Sequence, residues 1–303
     1  MNQVKKMLFD RFNDYTLRRK ETTFIKGVTA VVDKYGLPRA DITGLNQVNF
    51  IHGGHLGDII YSIPAMQALS EGKQMNLYLK VGVTVAGGDQ KQITGTHPNG
   101  QVMLTPKSAE LLAPLLLQQP LFADCGIYEQ QSVQYDLDLF REYPFDYRMS
   151  SCPRWYMLTY GVHADLSKPW LSAPPDTSLN DTILIGRTLR ARAPLIDYSF
   201  LKKYPKLAFV GMDYEYQEMK KVIPHLEYKP VKNFLELASY IAGCKFYVGN
   251  QSFPFSLAEA MKVKRVMEVY YRAPNVIPEG PGGYDFCYQP HFEEIVRKLY
   301  EEQ

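Results

Sequence analysis

Short apolar runs alternate with longer runs of helical spacing along the chain, in two blocks. A helical N-terminal region comes first, then strand-like NFI (49–51) and a helix from about Asp58 to Leu69. Strand-like NLYLKVGV (76–83) follows. Residues 84–105, rich in Gly, Thr, Asp and Asn, read as a long loop, and loops of that length usually carry function or lack order. KSAELLAPLLLQQ (107–119) reads as a helix, and an aromatic stretch without clear period runs on to Trp170. SAPPDTSLNDT (172–182) has the turn-rich composition of a linker.

The second block is cleaner. TILIGR (182–187) and KLAFVG (206–211) read as buried strands, and DYEYQEMKKVI (213–223) and NFLELASYIAG (233–243) as helices. KFYVGN (245–250), SLAEAMKV (256–263) and RVMEVY (265–270) continue the alternation, and HFEEIVRKLYEEQ is an amphipathic helix. Strands alternating with helices imply parallel sheets. Two such blocks predict an α/β chain of two doubly wound, Rossmann-like domains facing a cleft, residues 1–175 and 176–303. Open α/β sheets bind ligands at the carboxyl ends of their strands. Gly53, Gly54, Gly57, Asp58, Gly186, Arg187, Gly249 and Asn250 all fall at such ends.

Composition narrows the class. At 303 residues, with 46% hydrophobic and 22% charged residues, the chain fits a soluble globular protein of about two domains. It has no apolar run long enough to span a bilayer and no signal-peptide pattern, so a cytoplasmic location is expected. Four scattered cysteines form no C-x-x-C pair, which argues against a zinc ribbon or a disulfide framework. The net charge of +2 implies no polyanionic partner. Residues 1–40, however, hold nine Lys/Arg against four Asp/Glu, a local +5. Such a helix could rest on a membrane surface, an anionic glycolipid or nucleic acid, or be a solvated face packed on its own domain.

IHGGHLGDIIYSIPAMQAL (51–69) concentrates the chemistry. Gly54 and Gly57 allow a ligand close to the backbone, and the following helix N-terminus favours an anion. The spacing is not G-x-G-x-x-G, and no P-loop pattern is present. Asp58 reads either as a helix N-cap or as a general base. His52, His55 and Asp58 form an i, i+3, i+6 series without supporting metal ligands, and no metal is expected.

GHLGDIIYSIPAMQAL resembles the signature of glycosyltransferase family 9, the ADP-heptose:lipopolysaccharide heptosyltransferase-like family, and Pro64 fits that signature. LASYIAGCKFYVGNQSFPFSLAEAMKVKRVMEVY (237–270) is similar to the family's C-terminal run. The resemblance implies a GT-B fold, with acceptor on the first domain and nucleotide-sugar on the second. It implies Asp58 as the catalytic base of an inverting, metal-independent transfer from a nucleoside-diphosphate sugar to an acceptor hydroxyl on a glycan or glycolipid. The nucleotide-sugar is then a co-substrate and no cofactor is needed.

Arg187 and Arg190 are the expected diphosphate cations, with Arg192 beside them. Asn250, Gln251 and Ser252 are placed to meet diphosphate or ribose, unless Ser252 only caps its helix. Glu268 could hold ribose hydroxyls or pair with Arg265 or Arg272. Phe253 or Phe255 could stack on the donor, and APNVIPEGPGGYDF (273–286) could form a lid. Where the family often has Asp, Gly and His, this chain has Gln251, Phe253 and Ser256, so ADP-heptose does not carry over as the donor. Three alternatives stay open: transfer to hydroxylated bases in DNA, epimerisation of a nucleotide-sugar, and sugar-nucleotide binding without catalysis.

Overall fold

The computed structural model describes residues 3–36, 38–84 and 100–302. Most of the expected glycine-rich loop, residues 85–99, therefore lies outside the described residues. The first half runs α1 (Gln3–Tyr35), β1 (Gln47–His52), α2 (Leu56–Ser70), β2 (Gln74–Leu79), α3 (Pro106–Leu117), β3 (Phe122–Ile127), β4 (Tyr135–Asp136) and α4 (Cys152–Tyr160). The second runs β5 (Ile183–Gly186), β6 (Leu207–Phe209), α5 (Asp213–Val222), β7 (Glu227–Tyr228), α6 (Phe234–Gly243), β8 (Phe246–Asn250), α7 (Phe253–Met261), β9 (Arg265–Glu268), β10 (Gly283–Phe286) and α8 (Gln289–Glu301). Among the described residues no helix is long and apolar enough to cross a membrane.

Every strand pairing within the two sheets is parallel. The first sheet has the order β3-β2-β1-β4 and the second β10-β9-β8-β5-β6-β7. In each, the chain winds outward one way and then returns to the other side of its first strand. The resulting switch points lie between β1 and β4 and between β5 and β8, where a doubly wound sheet leaves a crevice. At the second, Gly186 pairs with Gly249. A Cβ on Gly249 would stand 2.5 Å from the Gly186 carbonyl oxygen, so the two backbones approach too closely for a side chain.

The halves are joined by apolar packing. One core takes in Phe50, Leu77 and Ile63 of the first sheet and its helices together with Leu184, Tyr247 and Phe255 of the second. α2 packs on α7 and α3 on α6. A second core, including Ile185, Phe209 and Phe292, fills the far face of the second sheet. Pro64 sits inside α2 and cannot donate to the Ile60 carbonyl. The Trp170 indole N–H takes that place at 3.1 Å.

Several expectations change. The aromatic stretch before Trp170 conceals β3, β4 and α4, because β4 is only two residues long and the apolar residues follow no single period. The 172–182 segment is tied down: Ser172 N–H donates to Gln119 (2.8 Å) and Asp176 N–H to the Ser239 carbonyl (3.0 Å). The expected lid is anchored, and its end forms β10. Glu279 grips Arg154 of α4, and its carbonyl accepts from Lys262 and Arg265.

Candidate active site

The first switch point gathers charge. β1 ends at His52, Gly53 and Gly54 turn the chain, and α2 starts at Leu56 with His55 as N-cap. Asp58 is thus the third helical residue and not the cap itself. Its Oδ2 accepts weakly from the His55 N–H (3.3 Å), and the ion pair from Arg141 Nη2 at 2.8 Å is stronger. Arg141 comes from the 3-10 turn Leu137–Glu142, which follows β4. Residues three apart eclipse in such a turn, so Asp138 lies on the same side as Arg141. Asp138 accepts from Gly53 N–H (3.0 Å) and pairs with Lys80, which stands just beyond β2.

Gly54 is required here by space. A Cβ at this position would come within 2.6 Å of His52, 2.7 Å of the Arg141 guanidinium and 3.0 Å of Asp58. At Gly57 a Cβ would meet nothing within 4 Å, so the first turn of α2 borders open space.

Burial alone would raise the Asp58 carboxyl, but Arg141, His55 and His52 outweigh it and hold the group below the usual carboxylate value. Cys152 Sγ lies 3.9 Å from Asp58 Oδ1, and burial with the adjacent carboxylate pushes its thiol well up, so it stays protonated. His52 Nδ1 accepts from Gly54 N–H (2.8 Å), which leaves Nε2 as the donor to the Tyr156 hydroxyl (2.9 Å). Burial keeps His52 and His55 neutral by lowering both. His55 Nδ1 meets the Met103 carbonyl at 3.0 Å. Among the described residues no three His, Cys, Asp or Glu side chains converge as metal ligands.

The second switch point sorts the expected donor residues into two groups. Arg187 is buried, with a two-pronged grip on Glu268 (2.7 and 2.8 Å), and it lies 4.3 Å over the Tyr198 ring. Glu268 also accepts from Tyr198 (3.0 Å) and Ala193 N–H (2.7 Å) and is fully buried. Its partner is therefore Arg187. Arg265, the partner considered from sequence, pairs with Glu259.

Asn250 accepts from Thr188 N–H (2.9 Å) and donates to the Arg190 carbonyl (2.6 Å), pinning the loop after β5. Gln251 bridges Ala273, Asn275 and Tyr270. Ser252 precedes α7 but its hydroxyl turns back to the Asn250 carbonyl (3.1 Å), so it does not cap the helix with its side chain. Arg192 is held by Glu218. Phe255 is fully buried, and Phe253 packs edge-on against Phe234.

Arg190 differs from all of these. Among the described residues its guanidinium has no hydrogen-bond or ion-pair partner, although Glu215 and Tyr214 lie within electrostatic reach. Burial lowers its pKa. Its charge also acts on His55, the N-cap of α2, which brings the two switch points together.

Arg141, Lys80 and Asp138 were missed from sequence. Lys80 lay inside the strand-like run 76–83, and it comes to stand beyond the strand because β2 ends at Leu79. Asp138 and Arg141 stand three apart in an unpatterned stretch, where only their mutual spacing marks them.

No family model matches the sequence, and no curated protein sequence matches it. Solved structures do. E. coli ADP-heptose lipopolysaccharide heptosyltransferase II matches with a TM-score of 0.50 at 12% identity, over 84% of this chain and 98% of that one. E. coli heptosyltransferase WaaC with ADP-2-deoxy-2-fluoro heptose gives 0.47 at 12%, over 83% and 99%. A family 9 glycosyltransferase from Veillonella parvula gives 0.46 at 14%, over 87% and 92%. The likeness to heptosyltransferase II identifies the fold: the two parallel sheets form the GT-B arrangement.

Proposed function

We propose that the chain is a glycosyltransferase that moves a sugar from a nucleoside-diphosphate donor to an acceptor hydroxyl, with inversion and without a metal. The observation that carries this reading is an ionised carboxylate, Asp58, at the first crevice, with a guanidinium that has no ion-pair partner among the described residues, Arg190, at the second. A carboxylate held ionised is always in the form that can accept a proton. As the acceptor oxygen forms its bond to the anomeric carbon, its proton passes to Asp58. The bond from the anomeric carbon to the diphosphate oxygen breaks on the opposite face. Arg190 offsets the charge that develops on the departing diphosphate. Gly57 and the first turn of α2 leave the space for this encounter. Asn250 and the Arg187–Glu268 pair shape the loop that carries Arg190. Residues up to about 175 would then hold the acceptor, a glycan or glycolipid hydroxyl, and residues 176–303 the donor.

The test uses a panel of nucleoside-diphosphate sugars, read by thermal shift and by mass spectrometry of products. One donor class should raise the melting temperature of wild type and of Asp58→Asn alike. Asp58→Asn should lose transfer by about 10²- to 10⁴-fold. Arg190→Gln should lose the donor-induced shift. Turnover of a donor in the absence of any acceptor would replace this reading with epimerisation, and no shift with any donor would remove it.

A further inference from the structure

We propose that the first half of α1 is an interfacial anchor that lies on an anionic lipid surface. α1 is 33 residues long, and among the described residues its packing on the body is seen in its second half. There Gly27, Val28 and Val31 are half-buried, and a Cβ on Gly27 would stand 2.9 Å from Pro144. At about 100° per residue, Phe24, Gly27, Val28 and Val31 form one stripe of the helix, at i, i+3, i+4 and i+7. Leu8, Phe12 and Tyr15 form another, at i, i+4 and i+7, turned from the first by about 140°. The two halves of the helix therefore carry apolar stripes on different sides. One stripe faces the body and the other faces away from it. Leu8, Phe12 and Tyr15 are 57%, 67% and 64% exposed.

The acids of this half are confined to one side. Asp10, Asp14 and Glu21 repeat at i, i+4 and i+11, on the side opposite Leu8 and Phe12. Lys5, Arg11, Arg18 and Arg19 lie on or beside the apolar stripe, whereas Lys6 and Lys20, with the exposed Phe9 and Leu17, lie on the far side. A side that carries apolar residues and four cations and no acid suits a helix lying in the plane of an anionic interface. Its rings enter the acyl boundary while Lys and Arg reach lipid phosphates. A second copy of the chain suits the face less well, because the stripe continues as Arg19, Thr22 and Lys26 and would bring like charges together. A nucleic acid would meet the cations but leave Leu8 and Phe12 in water.

Co-sedimentation of the full chain with vesicles tests this independently of sugar transfer, since the vesicles carry no glycan. Vesicles of phosphatidylcholine with about a third phosphatidylglycerol should pellet the protein, and phosphatidylcholine alone should bind about ten-fold less. The double variant Leu8→Ser/Phe12→Ser should bind the anionic vesicles about ten-fold less than wild type, with an unchanged melting temperature because both positions are exposed. Asp10→Asn/Asp14→Asn should bind as well as wild type or better. No pelleting with anionic vesicles would overturn the proposal, as would equal pelleting of wild type and the serine variant. Self-association of the wild type without vesicles, abolished in the serine variant, would assign the face to a second copy instead.

Discussion

Two glycines three residues apart, Gly54 and Gly57, make opposite predictions. Gly54→Ala drives a methyl group into His52, Arg141 and Asp58. It should cost about 1–3 kcal/mol of stability and break the Asp58–Arg141 pair, which denaturation curves and donor turnover would both register. Gly57→Ala meets open space and should fold at least as well as wild type, yet lose activity if substrate occupies that space. The histidines set a pH window. His52 and His55 are held neutral below their ordinary value of 6.5, so the unfolded chain binds protons there that the folded chain refuses. Stability should therefore fall as pH drops from about 6.5, ahead of the loss from Asp58 and Asp138, whose lowered values place theirs below the ordinary carboxylate range. Urea titrations at a series of pH values check this, and His52→Gln should flatten part of the slope. Asp58 was legible in sequence because glycines and an apolar helix frame it. Its partner Arg141 was not, since 83 residues and a short 3-10 turn separate the two.

At the level of elements, Pro64 and Trp170 act as a pair. Trp170→Phe should leave the buried Ile60 carbonyl without a donor and cost about 1–3 kcal/mol. In a Pro64→Ala background the helix can supply its own N–H, so the same change should cost measurably less, and a double-mutant cycle reads the difference. An unchanged cost in that background would show that Trp170 matters through packing alone. Most strands and helices of the second half were readable because each is an apolar run closed by glycine or a polar residue. α4 was hidden by its aromatic surroundings, β7 by its two-residue length, and β10 by a Gly/Pro-rich setting without an apolar run. β10 pairs with β9, a contact between segments that local periodicity cannot reveal. The side-chain caps followed the same division. Thr105 and Asn233 cap α3 and α6 as their types suggest, whereas Ser252 turns away to the Asn250 carbonyl.

Over the whole molecule, the decisive feature is the core that crosses from one sheet to the other through α2 and α7. Two domains joined only by a linker would unfold in two steps. This shared core predicts a single cooperative transition by calorimetry and by circular dichroism, and two resolved transitions would contradict it. Such packing also limits how far the halves can part around a donor, and the chain holds its own optical gauge of that motion. Trp170 donates through its ring to α2 and through its backbone to Ala260 of α7, under the ammonium of Lys262 at 4.5 Å from its ring. The chain has only two tryptophans. With Trp155 replaced by phenylalanine, the emission of Trp170 would become a single-site signal of α2 sliding on α7, readable in real time without any attached dye.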